Sequence, residues 1–556
     1  MLLSVSFVLL CAWSAVTPVF ESPDEVHHWQ YARYLRDVWH LPLYTPAFVE
    51  ANSPPLYYAL VAPVAVDSAA PPSLVWVDAR GTLVLPFPPR LYHNAGGDFR
   101  RYWPIRLGRL LSVLMSVATV WFCWEAARRA GSRITAALCA SFVAFLPEFT
   151  FRGSTISNDV LVTTMSAATM FCIVRLIGEP YSWRIGVAAA LALSSAYLTK
   201  ISAIGLVPAV GLALWWTGGS VRERLTRLAT VLGLAGLIVL PWSARNVLLY
   251  GDPFASGAMA EAVGHIVSRH SLFDSYFLTT FPAVLSRSFV GVFGWMNVML
   301  PEGFYWFYWA LGAGGLVCLG LQLAARRRSA RLPIALAVVV LANLAIVIHI
   351  NRSFEQPQGR YMFVALPALA LLTAMGLDRL PRRASNTLAA GLALLNVLIL
   401  VRYQAAAYYP PVSTTLPNTT MALHQSYVVD LVQQDDGSAR ISGGDPQIGF
   451  HTQFDAASAG FLAFELAGNC KELDLQGSVY FAAAGRPASE AQQVAFSWRA
   501  DGTKRLVRVA LLANPLWKGT VSIVRIDPIN ASVARHLGED VRIENVRVAG
   551  NLSLVQ

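Results

Sequence analysis

Eleven stretches of this chain are apolar almost throughout and are separated by polar or Arg-rich segments, most of them short. They lie near 2–20, 105–125, 134–148, 159–177, 183–199, 201–217, 227–244, 304–324, 333–350, 361–377 and 386–402. A membrane-crossing helix needs about 20 mostly apolar residues. Each stretch is therefore predicted to span a bilayer, the third, fifth and sixth with short flanks. The first could instead be a cleaved signal peptide, but it has no basic start and no small-x-small cleavage site. From about residue 410 the pattern changes. Short segments of partial alternation, such as "GSVYFAAAG", "QQVAFSWRADG" and "KGTVSIVRIDP", are separated by Gly, Pro, Asn and Asp. This is strand-and-turn spacing. It predicts an all-β sandwich over 410–556 following a transmembrane domain over 1–405.

Composition agrees. The 556 residues are 55% hydrophobic and only 14% charged, against about 25% charged in soluble domains. The fold class is thus a polytopic α-helical membrane protein with a C-terminal β domain. The net charge of +10 matters less than where the Arg residues fall. "RRAGSR" (128–133), "RERLTR" (222–227), "RRRSAR" (326–331) and "DRLPRR" (378–383) all lie on one side if there are eleven spans. That side is the cytoplasm by the positive-inside bias. The N-terminus is then cytoplasmic. Loops 21–104 and 245–303 and the β domain are extracytoplasmic, and the expected location is the bacterial cytoplasmic (inner) membrane. Five of the six Cys lie in apolar runs, and Cys470 has no evident partner. No disulfide framework or CxxC metal signature is present.

The chemistry concentrates at the outer ends of spans. "ESPDEVHHWQYARYL" places Asp24, Glu25, His27 and His28 just beyond the first span, and Asp159 in "ISNDV" opens the fourth. Ionisable groups at such positions are costly and are candidates for function. Both segments also read as helix starts: Ser22 as N-cap with Pro23 and acids in the first turn, and Ser157 before Asp159. Asp24 and His28 stand four residues apart, on one face of a helix whose apolar positions include Trp29, Tyr31, Ala32, Leu35 and Val38. That helix is expected to lie in the membrane interface. Lys200 in "YLTKISA" is the only Lys before Lys471. With Arg245 and Arg360 it is an outward cation, against the inside bias. An ammonium or guanidinium at the outer surface suits a phosphate oxygen, although long cationic side chains also snorkel to headgroups. Glu50 in "FVEANSPP" is a further outer-loop acid, and Trp29, Tyr57 and Trp295 offer aromatic faces for a sugar ring, although most aromatics in such chains pack or sit at the interface.

Taken in order, "SPDEVHHWQYARYL", "ANSPPLYYAL", "ISNDVLVTTMSA", "YLTKISAIGLVP", "PWSARNVLLYGDPF", "SFVGVFGWMNVMLP" and "PQGRYMFVALPALALL" resemble the motifs of the glycosyltransferase C superclass over about residues 1–400. The resemblance implies an integral membrane enzyme that moves a sugar from a polyprenyl-phosphate carrier to a hydroxyl on a glycan, lipid or protein, with inversion. It implies Asp24 as general base with Glu25 beside it. Lys200, Arg360 and Arg245 would be on the donor phosphate. Asp159, His27, His28, Glu50, Tyr57 and Tyr361 would be on the acceptor or substrate. It calls for no organic cofactor; a divalent cation, Mg or Mn, is compatible with it. No nucleic acid is implied. Some relatives in that superclass, arabinofuranosyltransferases among them, carry carbohydrate-binding-like β domains, which suggests glycan binding for 410–556.

Two other classes fit parts of the sequence. A transporter or flippase of lipid-linked saccharides would be polytopic too, but needs charges inside its spans, whereas here they cluster at the ends. A membrane-anchored glycan-binding protein would not need eleven spans or an acidic first loop.

Overall fold

The computed structural model describes residues 2–44, 48–66, 103–255, 257, 270–294, 296, 298–326, 329–408, 419–483, 492–511, 514, 516–529 and 536–550. Parts of both predicted long outer loops, 67–102 and 258–269, lie outside the described residues. The chain divides into two compact units, one helical and reaching Ala407, the other β-rich and running from Tyr408.

Every predicted span coincides with helix, but not with one uniform kind. Among the described residues six helices are long and apolar enough to cross a bilayer: Trp103–Ala130, Asn158–Gly178, Val221–Tyr250, Glu302–Ala324, Arg331–Asn351 and Arg382–Ala405. Arg133–Ala144 and Pro147–Gly153 would make a seventh as one span bent by 63°. Pro147 sets that break, because its ring cannot continue the preceding hydrogen-bond ladder. Leu2–Val16, Ile201–Trp215 and Leu366–Gly376 are shorter apolar helices. Apolarity alone could not show that several stretches carry fewer than 18 helical residues, because loop backbone buried in protein can be equally apolar.

Capping explains where several helices begin. Ser157 accepts a hydrogen bond from the Asp159 amide, as expected for the start of Asn158–Gly178. Ser132 and Ser220 each form a full capping box, satisfying amides that no helix can satisfy itself. The expected cap at Ser22 is not formed. The helix starts at Glu25, and its N-cap residue is Asp24, at φ 65° in the left-handed region with no side-chain cap bond. Ser22 Oγ instead takes hydrogen bonds from Arg152 and Thr155. The helix Glu25–Val38 also turns Trp29, Tyr31 and Ala32 into the protein interior, beyond what an interfacial helix requires.

In the β unit all strand pairings are antiparallel. The long strand Phe461–Ala482 organises it. Its first half pairs with Arg505–Ala510 and Asp540–Ala549. Its second half pairs with Gln493–Asp501 and Thr520–Asp527. One buried cluster draws on both halves, with Leu462, Phe464 and Val548 from one and Val479, Phe481 and Val524 from the other.

Candidate active site

Four chain segments that are far apart in sequence meet around Asp24. Arg360, on the short 3-10 turn Gly359–Met362, donates to the Asp24 carboxylate at 2.5 Å and lies 3.6 Å from Asp159. Lys200 pairs with the other oxygen of Asp159. Arg152, from Pro147–Gly153, donates to Asp159 at 3.2 Å, to Ser157 Oγ and to the Pro23 carbonyl. The direct network thus holds three cations, Arg152, Lys200 and Arg360, against two carboxylates, Asp24 and Asp159. The Glu50 carboxylate, within 4.8 Å of Asp24, stands beside this network as a third acid and balances the third cation. At an effective dielectric of about 20, one such charge pair at 4 Å is worth about 4 kcal/mol. The Nε atoms of Arg152 and Arg360 are buried with no hydrogen-bond partner among the described residues.

Exposure separates the two carboxylates. Asp24 is 29% exposed and Asp159 only 1%. Asp159 is occupied by Arg152, Lys200, Arg360 and Ser157. It fixes the cations in place, while Asp24 keeps an open side. Burial would raise the Asp24 pKa, but the charges of Arg360, His28 and Arg152 and the Arg360 hydrogen bond outweigh it and hold the carboxyl below its ordinary range. Burial likewise lowers the Lys200 pKa, with Asp159 opposing the shift.

Beside this network, His28 Nδ1 meets the Tyr58 hydroxyl at 2.9 Å, and that hydroxyl donates to Glu50 at 3.1 Å. Ser53 also donates to Glu50, and Asn158 to Tyr58. Asp24, His28 and Glu50 each offer a ligand atom within 4.8 Å of the others. These residues could hold a divalent cation, and the imidazole suits Mn better than Mg. The Tyr361 ring lies beneath the site, 4.6 Å from Lys200 Nζ and 5.2 Å from the Arg360 guanidinium. The Lys200 turn is tied to the start of the Leu56–Val61 helix by a backbone bond from Leu56 to the Leu198 carbonyl.

Four expected residues sit elsewhere. Glu25 is fully buried in a two-pronged pair with Arg109, at 2.7 and 2.6 Å, and also accepts from the amides of Phe20 and Ile156. Its acceptors are taken up in anchoring the helix start. Tyr57 is buried with its hydroxyl on Ser112 and on the Ser157 amide, behind the site. Arg245 donates to the Pro42 carbonyl and stacks on Trp242, so it holds the chain after the Glu25–Val38 helix. His27 contacts Gln30 at 3.3 Å. Sequence reading missed Arg109, Arg152 and Tyr58. Arg152 does carry a signal: it is a lone cation beside an apolar run, where burial calls for a paired carboxylate.

The fold and this cluster define a polytopic membrane protein with a buried carboxylate–cation cluster at the helix ends. Residues 101–242, which include Arg152, Asp159 and Lys200, match the family model described as dolichyl-phosphate-mannose-protein mannosyltransferase. That family lies within the glycosyltransferase C superclass, so the likeness read from the motifs is borne out. No curated protein matches the sequence. Solved structures with some similarity include ArnT from Cupriavidus metallidurans bound to undecaprenyl phosphate, at TM-score 0.43 and 18% identity over 71% of this chain and 62% of that one. Another is the Archaeoglobus fulgidus oligosaccharyltransferase in complex with Zn and sulfate, at 0.43 and 13% over 73% and 52%. A third is the arabinosyltransferase EmbB from Mycobacterium smegmatis, at 0.42 and 11% over 99% and 64%. This chain spans less than two thirds of the length of each of these proteins.

Proposed function

We propose that this protein is an inverting glycosyltransferase of the bacterial cytoplasmic membrane. It would transfer a sugar from a polyprenyl-phosphate carrier to a hydroxyl on a glycan, lipid or protein at the outer face. The observation that carries this reading is the union of one partly open carboxylate, Asp24, with the three-cation cluster of Arg152, Lys200 and Arg360. An inverting transfer from a lipid phosphate needs those two parts side by side: a base for the acceptor and positive charge for the leaving phosphate.

Asp24 accepts the proton of the acceptor hydroxyl as its oxygen attacks the anomeric carbon. The bond from that carbon to the phosphate oxygen breaks, and polyprenyl phosphate departs against Lys200 and Arg360, which neutralise its charge. Arg360 connects the two halves of the reaction. In the free protein it is bonded to Asp24 and depresses its basicity. A donor phosphate competes for that guanidinium, so binding it returns the Asp24 pKa towards the ordinary carboxylate range and makes Asp24 a better base. The base is thus strengthened by the arrival of the donor.

An apolar cavity of 290 Å³ lined by Leu193, Tyr197, Ile204, Val207, Leu232 and Val239 opens where the helices on either side of Lys200 meet Val221–Tyr250. It supports a lipid tail beside that cation. The β unit, on the outer side in this reading, would hold the acceptor. The test is transfer from a radiolabelled pool of polyprenyl-phosphate sugars by the purified full chain. Labelled product with the wild type and none with folded Asp24→Asn is expected; full activity in that variant would remove Asp24 from the mechanism.

A further inference from the structure

The second unit carries a cluster that plays no part in this reaction. Cys470 lies on the long strand Phe461–Ala482, and His536 and Glu539 lie on the turn leading into Asp540–Ala549. Cys470 is 6% exposed, His536 2%, and the Glu539 side chain 9%. Their sulfur, ring-nitrogen and carboxylate atoms all fall within 4.8 Å of one another. His536 Nδ1 is 2.7 Å from one Glu539 oxygen, and the other oxygen accepts from the Lys471 amide. That amide bond aims the carboxylate at the cluster from the Cys470 strand. The turn is held by backbone bonds from Gly538 and to Glu539 that both involve Ile441.

We propose that Cys470, His536 and Glu539 form a zinc-type site that staples this turn to the long strand. A thiolate, an imidazole and a carboxylate together are a borderline-soft ligand set that zinc takes in four-coordinate form, a water completing the tetrahedron. Metal–ligand lengths of about 2.0–2.3 Å imply ligand-to-ligand separations of about 3.3–3.7 Å. The three atoms, all within 4.8 Å of one another, would adjust to these separations, with the metal replacing the His536–Glu539 hydrogen bond. The Cys470 proton leaves to solvent as the metal binds, since the thiolate is the ligand. Binding is therefore expected to weaken as pH falls. The other five cysteines all lie in the helical unit. This makes a sulfur signature specific: the Asp24–His28–Glu50 group would bind a metal through oxygen and nitrogen alone.

The test uses the full chain in detergent, stripped with a chelator and titrated with cobalt(II), then with zinc. A thiolate-to-cobalt charge-transfer band in the near ultraviolet is expected in the wild type at one equivalent. It should be displaced by zinc, kept in His28→Gln, and lost in Cys470→Ser and His536→Gln. Zinc should raise the unfolding temperature of the wild type and not that of Cys470→Ser, with circular dichroism showing that both variants retain the β signal. No band in the wild type, or an unchanged band in Cys470→Ser, would overturn the site. If Cys470→Ser fails to fold, the His536→Gln spectrum decides: a full band there also overturns it.

Discussion

Asp24 and Asp159 bear the same side chain and share contact with Arg360, yet substitution should affect them differently. Asp159 is buried between Arg152, Lys200 and Arg360. Asp159→Asn strands those charges, and loss of one member of a buried ion cluster costs about 3–5 kcal/mol. Its expected effect is a large drop in unfolding temperature in detergent. Asp24 keeps an open side, and Asp24→Asn should leave unfolding nearly unchanged while lowering kcat about 10²–10⁴-fold, the usual share of a general base. A third acid gives a pH prediction. Glu21 is buried with one oxygen unpartnered among the described residues, and burial, then repulsion from Glu25, raise its pKa to about 8 from an ordinary 4.5, with Arg109 opposing. A raised carboxyl pKa means that the folded state holds the proton more tightly. Its stabilising effect is complete below pH 4.5 and is lost as pH rises through about 8. Thermal unfolding from pH 5 to 9 should show a fall in wild-type stability that Glu21→Gln flattens; an equal fall in both would exclude Glu21 as the cause. At this scale the sequence disclosed the residue types at the helix ends. It could not tell Glu25 from Asp24, because one residue along a helix start rotates a side chain from the open site to the Arg109 pocket.

Helix ends and turns decide which of these side chains meet. Asp24 reaches Arg360 because its backbone takes the left-handed conformation, uncommon outside Gly, and forgoes the usual capping bond. The partner turn depends on close approach: a Cβ at Gly359 would stand 2.1 Å from the Phe289 nitrogen. Gly359→Ala must push the Arg360 turn off the Phe281–Val290 helix. The expected result is a several-fold rise in KM for the lipid donor with much of kcat kept; an unchanged KM would show that the turn tolerates the shift. The Glu25–Arg109 pair does separate work, tying the start of Glu25–Val38 to Trp103–Ala130. Glu25→Gln should therefore destabilise by about 3–5 kcal/mol, read as earlier thermal aggregation, and the molecules that stay folded should transfer normally. Element positions were legible from the apolar runs, and Ser157 from its cap motif. The Ser22 cap was not, because Arg152, 130 residues away in sequence, claims its hydroxyl.

For the whole molecule, the apolar pattern gave the division into a helical and a β-rich unit, and the six long apolar helices agree with a membrane protein. The number of crossings was less legible, since short apolar helices and a bent pair take the place of uniform spans. The order of the motifs carried the resemblance, and the family match over residues 101–242 falls in the same superclass. The reading of the molecule as a lipid-phosphate-dependent transferase turns on Arg360 being shared between base and donor. Donor binding and single-turnover transfer should therefore be measured together on the wild type and on Asp24→Asn, with a defined polyprenyl-phosphate sugar. Removing the carboxylate frees Arg360, so the variant should bind the donor as tightly as the wild type or more tightly, and transfer almost nothing. Weaker donor binding with transfer retained would contradict the account.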